Sequence, residues 1–396
     1  MSVLARSARK REVSHSMIYL DHNATTPCYP QAFDAMRDAA LTHFANPASV
    51  HDAGTQAAYL LESARATIAS LLNAQHDEVI FTSGGTESNA LALAGRIEHL
   101  QTQHKSLRVL CPISEHHAVL HTLEALARKG AITLIPWVPD SDGLLHLDEA
   151  LLDQHAPHLV TCMLANNETG TVQRIADLAQ LCNARKIDFH CDGVQGPGKL
   201  PVDFKALGAD SMALAAHKFG GPKGVGILLK KQGYALTPQL HGGAQESGLR
   251  PGTHNVPGAV GAATALEISI GKLNEEAQRI VQLRDTLWNA LEHALPNLKV
   301  NGLGAAGIVG NTLNVSLPGA SGADMVRALS DRGVCASAGS ACTATNELRA
   351  SHVLKAMGLD DTHAAGALRF SLGWTTTQAE IEHAIPLIVE VLKHAT

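Results

Sequence analysis

The chain has 396 residues, 45% of them hydrophobic, which is enough apolar material for one large α/β domain and a smaller one. A formal net charge of −6 and 4% aromatic residues argue against a nucleic-acid-binding protein, and no apolar run is long enough to span a membrane. Seven cysteines, an odd number, with no secretory signal predict free thiols and a cytoplasmic location. The 22 histidines come with no CxxC pair and no HExxH helix, so we expect no metal site.

The first part of the chain predicts a helix start that can bind an anion. Residues 1–16 have no apolar stretch, which predicts a disordered lead-in before a short strand at Ile18. A long amphipathic helix over about 55–72 and a strand over 78–81 follow, and the glycine turn that contains Gly85 and Thr86 leads directly into another helix. Free backbone N–H groups and the helix dipole favour an anion at such a turn, although an ordinary helix start has the same pattern.

The middle of the chain alternates strands with helices, which predicts an α/β fold with a mainly parallel central sheet covered by helices. Ligands of such sheets bind at the carboxyl ends of the strands. Predicted strands are 107–111, 132–135, 159–164, 187–191 and 210–214, and predicted helices are 118–128, 147–154 and 175–185.

Polar side chains follow four of these strands and predict a common site. Taken singly, each has an ordinary alternative: a turn for the asparagines, a helix cap for the aspartate and a surface position for the first histidine. Their joint occurrence at strand ends favours a site. The residues are His116, Asn166, Asn167, Asp192, Gln195, His217 and Lys218.

Lys218 lies between the apolar run 212–216 and a segment that is rich in glycine. A lysine at the end of an apolar strand is more often an exposed surface residue. The preceding histidine and the glycines, which let the backbone approach closely, favour instead a dry, confined site. In such a site a lysine amine can have the lowered pKa that a Schiff base with an aldehyde cofactor requires.

The C-terminal part predicts a smaller α/β domain. Residues 240–258 form a glycine-rich segment too long for a simple turn, and helices over 260–271 and on through Trp288 link the domains. A GxGxxG pattern at residues 302–307 precedes a strand rather than a helix, so we interpret it as a loop and not a dinucleotide site. The predicted large domain covers 32–268, and the small domain combines 17–31 with 269–396.

Two residues of the small domain are candidates for chemistry. Cys342 lies among small residues that cannot bury it, so its thiol is free to move, although a packed cysteine or a metal pair with Cys335 are alternatives. Arg369 lies in an apolar strand, where it either pairs with an acid or holds a substrate carboxylate with its planar fork.

These segments together resemble the cysteine desulfurases, which are fold-type I enzymes of the class V aminotransferase group, and in particular the subgroup with a longer, mobile cysteine loop. The resemblance extends from Ile18 to Gly373, and its motifs occur in the family order. The segments that carry it are DHNATT at 21–26, NPASVHDAG at 46–54, AHKFGGPKGVG at 216–226, SAGSACTA at 337–344 and LRFSLG at 368–373.

The resemblance implies pyridoxal 5'-phosphate bound to the amine of Lys218. It also implies that Asp192 holds the ring nitrogen, Gln195 contacts the phenolic oxygen and His116 stacks on the ring. Gly85, Thr86 and His217 would bind the phosphate, together with Thr253 from the partner subunit of a homodimer.

The activity implied is conversion of L-cysteine to L-alanine, with Arg369 and Asn167 holding the substrate carboxylate. Cys342 would take the sulfur as a persulfide for an acceptor protein, such as an iron–sulfur scaffold or a tRNA-thiolation protein. The chain departs from the family at Ala215, where a serine is usual, at Ser247, where an arginine is common, and in 343–350. Alternatives are a selenocysteine lyase, an aminotransferase, a cysteine sulfinate-processing relative, or a non-catalytic sulfur-trafficking protein in which Lys218 is inert.

Overall fold

The computed structural model describes residues 17–146, 149–302, 307–339 and 350–395. The strands are β1 Ile18–Tyr19, β2 Val79–Thr82, β3 Arg108–Pro112, β4 Thr133–Trp137, β5 Leu159–Thr161, β6 Asp188–Asp192, β7 Ser211–Ala215, β8 Gly226–Lys230, β9 Lys299–Asn301, β10 Thr312–Ser316, β11 Val334–Cys335 and β12 Ala367–Ser371. The helices are α1 Pro30–Thr42, α2 Asp52–Leu71, α3 Gly85–Gln101, α4 His117–Arg128, α5 Glu149–His155, α6 Ile175–Ala184, α7 Phe204–Leu207, α8 Val256–Gly271, α9 Leu273–Ala294, α10 Gly322–Asp331, α11 His352–Ala356, α12 Asp361–Ala365 and α13 Gln378–Lys393.

The larger sheet has seven strands in the order β2-β8-β7-β6-β5-β3-β4. Strands β7, β6, β5, β3 and β4 are parallel, which confirms the predicted mainly parallel sheet. Strand β8 runs antiparallel to both of its neighbours, β2 and β7. Only residues 216–225 separate β7 from β8, and a parallel return needs a longer crossover connection, so the chain reverses direction there.

The predicted element bounds are correct to within about three residues except at the start of α8 and at the end of α9, which continues past Trp288 to Ala294. The strand expected over 159–164 ends at Thr161, although the Cys162 and Leu164 N–H groups still donate to the His190 and Asp192 carbonyls of β6. Helix α8 begins at Val256 rather than near 260, because the Asn255 side chain accepts a hydrogen bond from the Gly258 N–H and so caps it.

A second core lies around the three-stranded antiparallel sheet β12-β10-β9. Strand β1 pairs in parallel with β11, and Ile18 and Leu20 are buried in this core together with Leu313 and Phe370. Helices α9 and α13 contribute buried leucine, isoleucine and valine side chains to the same core. The N-terminal strand is therefore joined to the C-terminal third of the chain, while the predicted domain bounds stay a prediction.

The described helices include none that is both long and apolar enough to cross a membrane.

Candidate active site

A cavity of about 320 Å³ lies at the carboxyl ends of the parallel strands, where the sequence predicts a site. Most of the site residues predicted from the sequence line this cavity. The lining residues that were predicted are Gly85, Thr86, His116, Asn167, Asp192, Gln195, His217, Lys218 and Arg369. Asn166 is not among the lining residues: its side chain instead holds the turn after β5, where it donates to the Ser114 carbonyl and accepts from the Glu168 and Thr169 N–H groups.

Lys218 ends the short helical turn Ala216–Lys218 that follows β7, and its side chain reaches back to the DHNATT segment. Its Nζ donates to the Asn23 carbonyl at 2.6 Å and to the Ala24 carbonyl at 2.9 Å. These hydrogen bonds hold the amine at the wall of the cavity, and the turn that carries it begins directly after a fully buried strand.

Asp192 is the last residue of β6, and its carboxylate is held by two donors. Asn89 Nδ2 donates to Oδ2 at 2.8 Å, and the Val194 N–H donates to Oδ1 at 3.0 Å. His190 Nε2 lies 2.8 Å from Asn89 Oδ1, and burial lowers the pKa of His190 to about 3, so this imidazole is neutral and donates. The sequence gives no signal for this supporting pair, because Asn89 lies on α3 and His190 lies inside a strand.

His116 precedes α4 and caps it through its ring. Its Nδ1 accepts a hydrogen bond from the Ala118 N–H at 3.1 Å, which leaves the proton of the neutral ring on Nε2. Burial is the main cause that lowers the pKa of His116. His116, for which the alternative was a surface position, therefore caps α4 and presents a neutral imidazole to the cavity.

The anion-binding end of the cavity is formed by the first turn of α3. Helix α3 begins at Gly85 without a side-chain cap, which leaves N–H groups of its first turn available to a ligand. A β-carbon at Gly85 would lie 2.8 Å from Val194 Cγ2, so glycine is required there. His217 Nδ1 lies 3.1 Å from Thr25 Oγ1, and burial, aided by nearby lysine charges, lowers the pKa of His217 to about 4.

Arg369 lies on β12, only 1% exposed, at the side of the cavity that faces the second core. Its Nη2 donates to Asp21 Oδ1 at 2.6 Å and its Nη1 donates to the Asn167 carbonyl at 3.0 Å. Its Nε is buried and has no hydrogen-bond partner in the described part of the chain. The structure therefore shows the predicted pairing with an acid and leaves a buried donor at Nε, while the role of Arg369 in holding a substrate carboxylate stays a prediction.

Asn23 forms hydrogen bonds with several groups of the site, and it was not among the residues predicted from the sequence. It is 2% exposed, and its carbonyl accepts from both Lys218 and Gln195 Nε2. Its side chain accepts from Asn311 Nδ2 at 3.0 Å and donates to Thr312 Oγ1 at 2.8 Å, both next to or in β10. The DHNATT motif was a possible signal, because it places this amide directly after a strand.

The two predicted site residues still to be described are Cys342 and Thr253. Cys342 lies outside the described residues. Thr253 is exposed and is not among the lining residues of its own chain's cavity. The described residues contain no group of three or more side chains that could hold a metal ion.

Comparison with known proteins identifies the family. The family model described as Aminotransferase class-V matches residues 18–383. A cysteine desulfurase IscS of Anaeromyxobacter dehalogenans (strain 2CP-C) is 40% identical over 383 residues, which are 95% of this chain and 92% of the relative. The chain belongs to the cysteine desulfurase family. An IscS-like cysteine desulfurase of Mycobacterium tuberculosis (strain ATCC 25618 / H37Rv) is 39% identical over 376 residues, covering 94% of this chain and 95% of the relative.

Solved structures of cysteine desulfurase relatives have the same fold. A NifS-like protein has a TM-score of 0.87 at 34% identity, over 96% of this chain and all 100% of its own. A NifS-like protein from Rickettsia africae ESF-5 has a TM-score of 0.85 at 30% identity, over 95% of this chain and 99% of its own. The predicted fold class is confirmed, and so is the predicted enzyme class, a PLP-dependent cysteine desulfurase.

Proposed function

We propose that this enzyme uses pyridoxal 5'-phosphate at Lys218 to convert L-cysteine to L-alanine and leaves the sulfur atom on Cys342. The observation that carries the proposal is one cavity that combines the Lys218 amine, the Asp192 carboxylate and a buried arginine whose Nε has no partner among the described residues. An amine, an acid and a guanidinium in one confined space match an aldehyde, a protonated ring nitrogen and a carboxylate.

The residues fit pyridoxal 5'-phosphate. Asp192, fixed by Asn89 and Val194, would accept a hydrogen bond from the protonated ring nitrogen and so keep it protonated, and neutral His116 would lie against the ring face. Gln195 would donate to the phenolic oxygen. When bound, the cofactor supplies an electron sink that weakens the bonds at the substrate Cα and Cβ.

The uncapped start of α3, with Gly85 and Thr86, would bind the phosphate group. His217 would add a donor: if Nδ1 accepts from the Thr25 hydroxyl, the neutral ring carries its proton on Nε2. Thr253 is exposed and away from its own cavity, which is consistent with a homodimer in which the partner's Thr253 completes the phosphate site.

Arg369 would bind the carboxylate of L-cysteine through Nε and its remaining Nη hydrogens, and Asn167 lies beside it. The Lys218 amine would then move the proton at the substrate Cα. The thiolate of Cys342 would attack the substrate sulfur: the Cβ–Sγ bond breaks, an S–S bond forms, and the carbon fragment takes up protons and leaves as L-alanine. The persulfide would pass to an acceptor protein, of which iron–sulfur scaffolds and tRNA-thiolation proteins are the two expected classes.

The test compares wild type with Cys342→Ala, given L-cysteine and a reductant, and measures alanine and sulfide together. We expect equal amounts of both products from wild type and a loss of both from the variant, by at least about a hundredfold, with an unchanged cofactor absorption band. Cys335→Ala, which removes a partly buried thiol outside the cavity, is the matched control and retains activity. Alanine release that does not depend on Cys342 would refute the assigned nucleophile, and absence of a cofactor band would refute the cofactor.

A further inference from the structure

Lys199 is a second lysine of the site, and the proposed function gives it no role. It lies four residues after Gln195 in a tight turn in which the Lys199 N–H donates to the Gly196 carbonyl at 3.1 Å. This turn brings the side chain of Lys199 against that of Gln195. Its Nζ donates to Gln195 Oε1 in a short hydrogen bond and to Asn23 Oδ1 at 3.1 Å.

Backbone carbonyls fix the orientation of both amides in this group. Gln195 Nε2 donates to the Asn23 carbonyl at 3.1 Å, so the nitrogen end of this amide faces that carbonyl and its oxygen end faces Lys199. Asn23 Nδ2 donates to the Asn167 carbonyl at 3.2 Å, so the oxygen end of Asn23 also faces Lys199. The lysine therefore donates to both amides whether its amine is charged or neutral.

The surroundings of Lys199 lower the pKa of its amine, and its side chain borders a cavity other than the candidate site. Burial keeps the pKa of Lys199 well below its usual range, and the positive charges of Lys218 and Arg369 lower it further. Its side chain also borders a second cavity, of about 380 Å³ and mostly apolar walls, that Lys218 borders as well. Lys199 thus lies behind Gln195, away from the space that the cofactor would occupy.

We propose that Lys199 is a positioning residue that holds the oxygen of the Gln195 amide so that its NH2 group meets the phenolic oxygen of the cofactor. This inference rests on the role proposed above for Gln195. An amide NH2 carries two hydrogens: the Asn23 carbonyl takes one, which leaves the second for a ligand of the cavity that Gln195 lines. Without the lysine, the amide loses the partner that keeps its oxygen turned away from the ligand.

A double-mutant cycle tests this proposal. Apo proteins are titrated with pyridoxal 5'-phosphate, and the dissociation constant, the absorption maximum of the bound cofactor and the pH midpoint of its absorption are measured. We expect Lys199→Met to weaken cofactor binding about fivefold and to shift the absorption midpoint. In the Gln195→Ala background the same substitution should change the dissociation constant by less than about 1.5-fold, because its effect passes through Gln195.

Two further variants serve as controls. Lys199→Arg keeps a donor for both amides and should restore binding to within about twofold, whereas Lys205→Met, at an exposed lysine, should change nothing. If Lys199→Met does not fold, the cycle is run with Lys199→Gln, for which we expect a smaller effect that again disappears with Gln195→Ala.

The outcomes separate this inference from the proposed function. Additive effects of the two substitutions, or an unchanged absorption midpoint in Lys199→Met, would overturn the positioning role while Gln195→Ala still showed the cofactor contact. No effect of Gln195→Ala on affinity or absorption would remove both the contact and the inference. A wild-type protein that gives no cofactor band would instead refute the proposed function.

Discussion

The described residues include three buried arginines, and two of them, Arg65 and Arg369, differ in their surroundings. Arg65, on α2, is 8% exposed, and its two Nη atoms donate to the two carboxylate oxygens of Glu246 at 2.8 Å each. Glu246 also accepts from the Phe81 N–H at 2.9 Å and lies 2.9 Å from His254 Nε2. This cluster fastens the glycine-rich segment 240–258 to the large sheet.

Arg369 has a weaker set of partners although it is more deeply buried. A single atom of Asp21 and one carbonyl accept from it, and its Nε has no partner in the described part of the chain. Burial raises the pKa of Asp21, and the charge of Arg369 opposes that shift. A buried donor without an acceptor is costly, so its presence beside a cavity indicates a ligand. We infer from this comparison that the fully paired Arg65 is structural, and the incomplete pairing of Arg369 in the described part of the chain supports the binding role proposed for it.

Replacing each arginine by lysine tests whether Arg369 and Arg65 have the different roles that this comparison gives them. Arg369→Lys keeps the positive charge beside Asp21 but loses the fork, so kcat/KM for L-cysteine should fall by about a thousandfold. The melting temperature should change little. Steady-state kinetics with a cofactor absorption spectrum check both points, and near-normal turnover would show that the unpartnered Nε does not bind substrate.

Glu246→Gln should reveal the stability that the structural cluster provides. The pKa of Glu246 is lowered from 4.5 to about 2, with Arg65 and His254 opposing the effect of burial. A carboxylate with a lowered pKa stabilises the folded state above its ordinary pKa, and this contribution is lost as the pH falls from about 4.5 toward 2. We expect the variant to be less stable by about 3 kcal/mol at pH 7 and to approach wild type at acid pH.

Urea unfolding of wild type and Glu246→Gln at several pH values measures this difference. A gap in the free energy of unfolding that did not depend on pH would mean that the charge of Glu246 contributes nothing.

Arg65→Lys completes the matched pair. The lysine keeps the charge but can make only part of the bonds to Glu246 and the Val79 carbonyl, so the free energy of unfolding should fall by about 2 kcal/mol. The kcat/KM of the remaining folded enzyme should stay within about twofold of wild type. A thousandfold loss of turnover here, as expected at Arg369, would erase the distinction between the two arginines.

Ala215→Ser extends the comparison to the anion-binding end of the cavity, where N–H groups of the first turn of α3 are also available to a ligand. Ala215 lines the cavity, and a β-carbon at Gly85 would lie 3.4 Å from its Cβ, so a serine hydroxyl would be beside the start of α3. We expect the dissociation constant for pyridoxal 5'-phosphate to fall several-fold, the effect of one hydrogen bond to an anion. Unchanged affinity would mean that the missing hydroxyl does not matter.

Much of the fold and site could be predicted from the sequence because the signals are local. Alternating strands and helices predict the parallel sheet, and polar residues at strand ends predict Asp192, His217 and Lys218 as neighbours. The missed residues act over long separations: Asn23 contacts Lys199 across 176 positions, and Arg65 contacts Glu246 across 181. No periodicity encodes such pairs, and Glu246 stands in a glycine-rich segment whose pattern gives no indication of a buried ion pair. The contact between Gln195 and Lys199 is the exception, because their spacing of four could have indicated it.

The pairing of the N-terminal strand with the end of the chain has a consequence for the order of folding. The Asn23 N–H donates to the Ser371 hydroxyl, and Asp21 pairs with Arg369, each across 348 positions. Contacts between such distant residues form late, because the intervening chain must first be ordered. During synthesis the ribosome must release β12 before Asn23 can take its place beside Lys218. Cofactor capture is therefore expected to follow completion of the chain rather than to guide the folding of the large sheet.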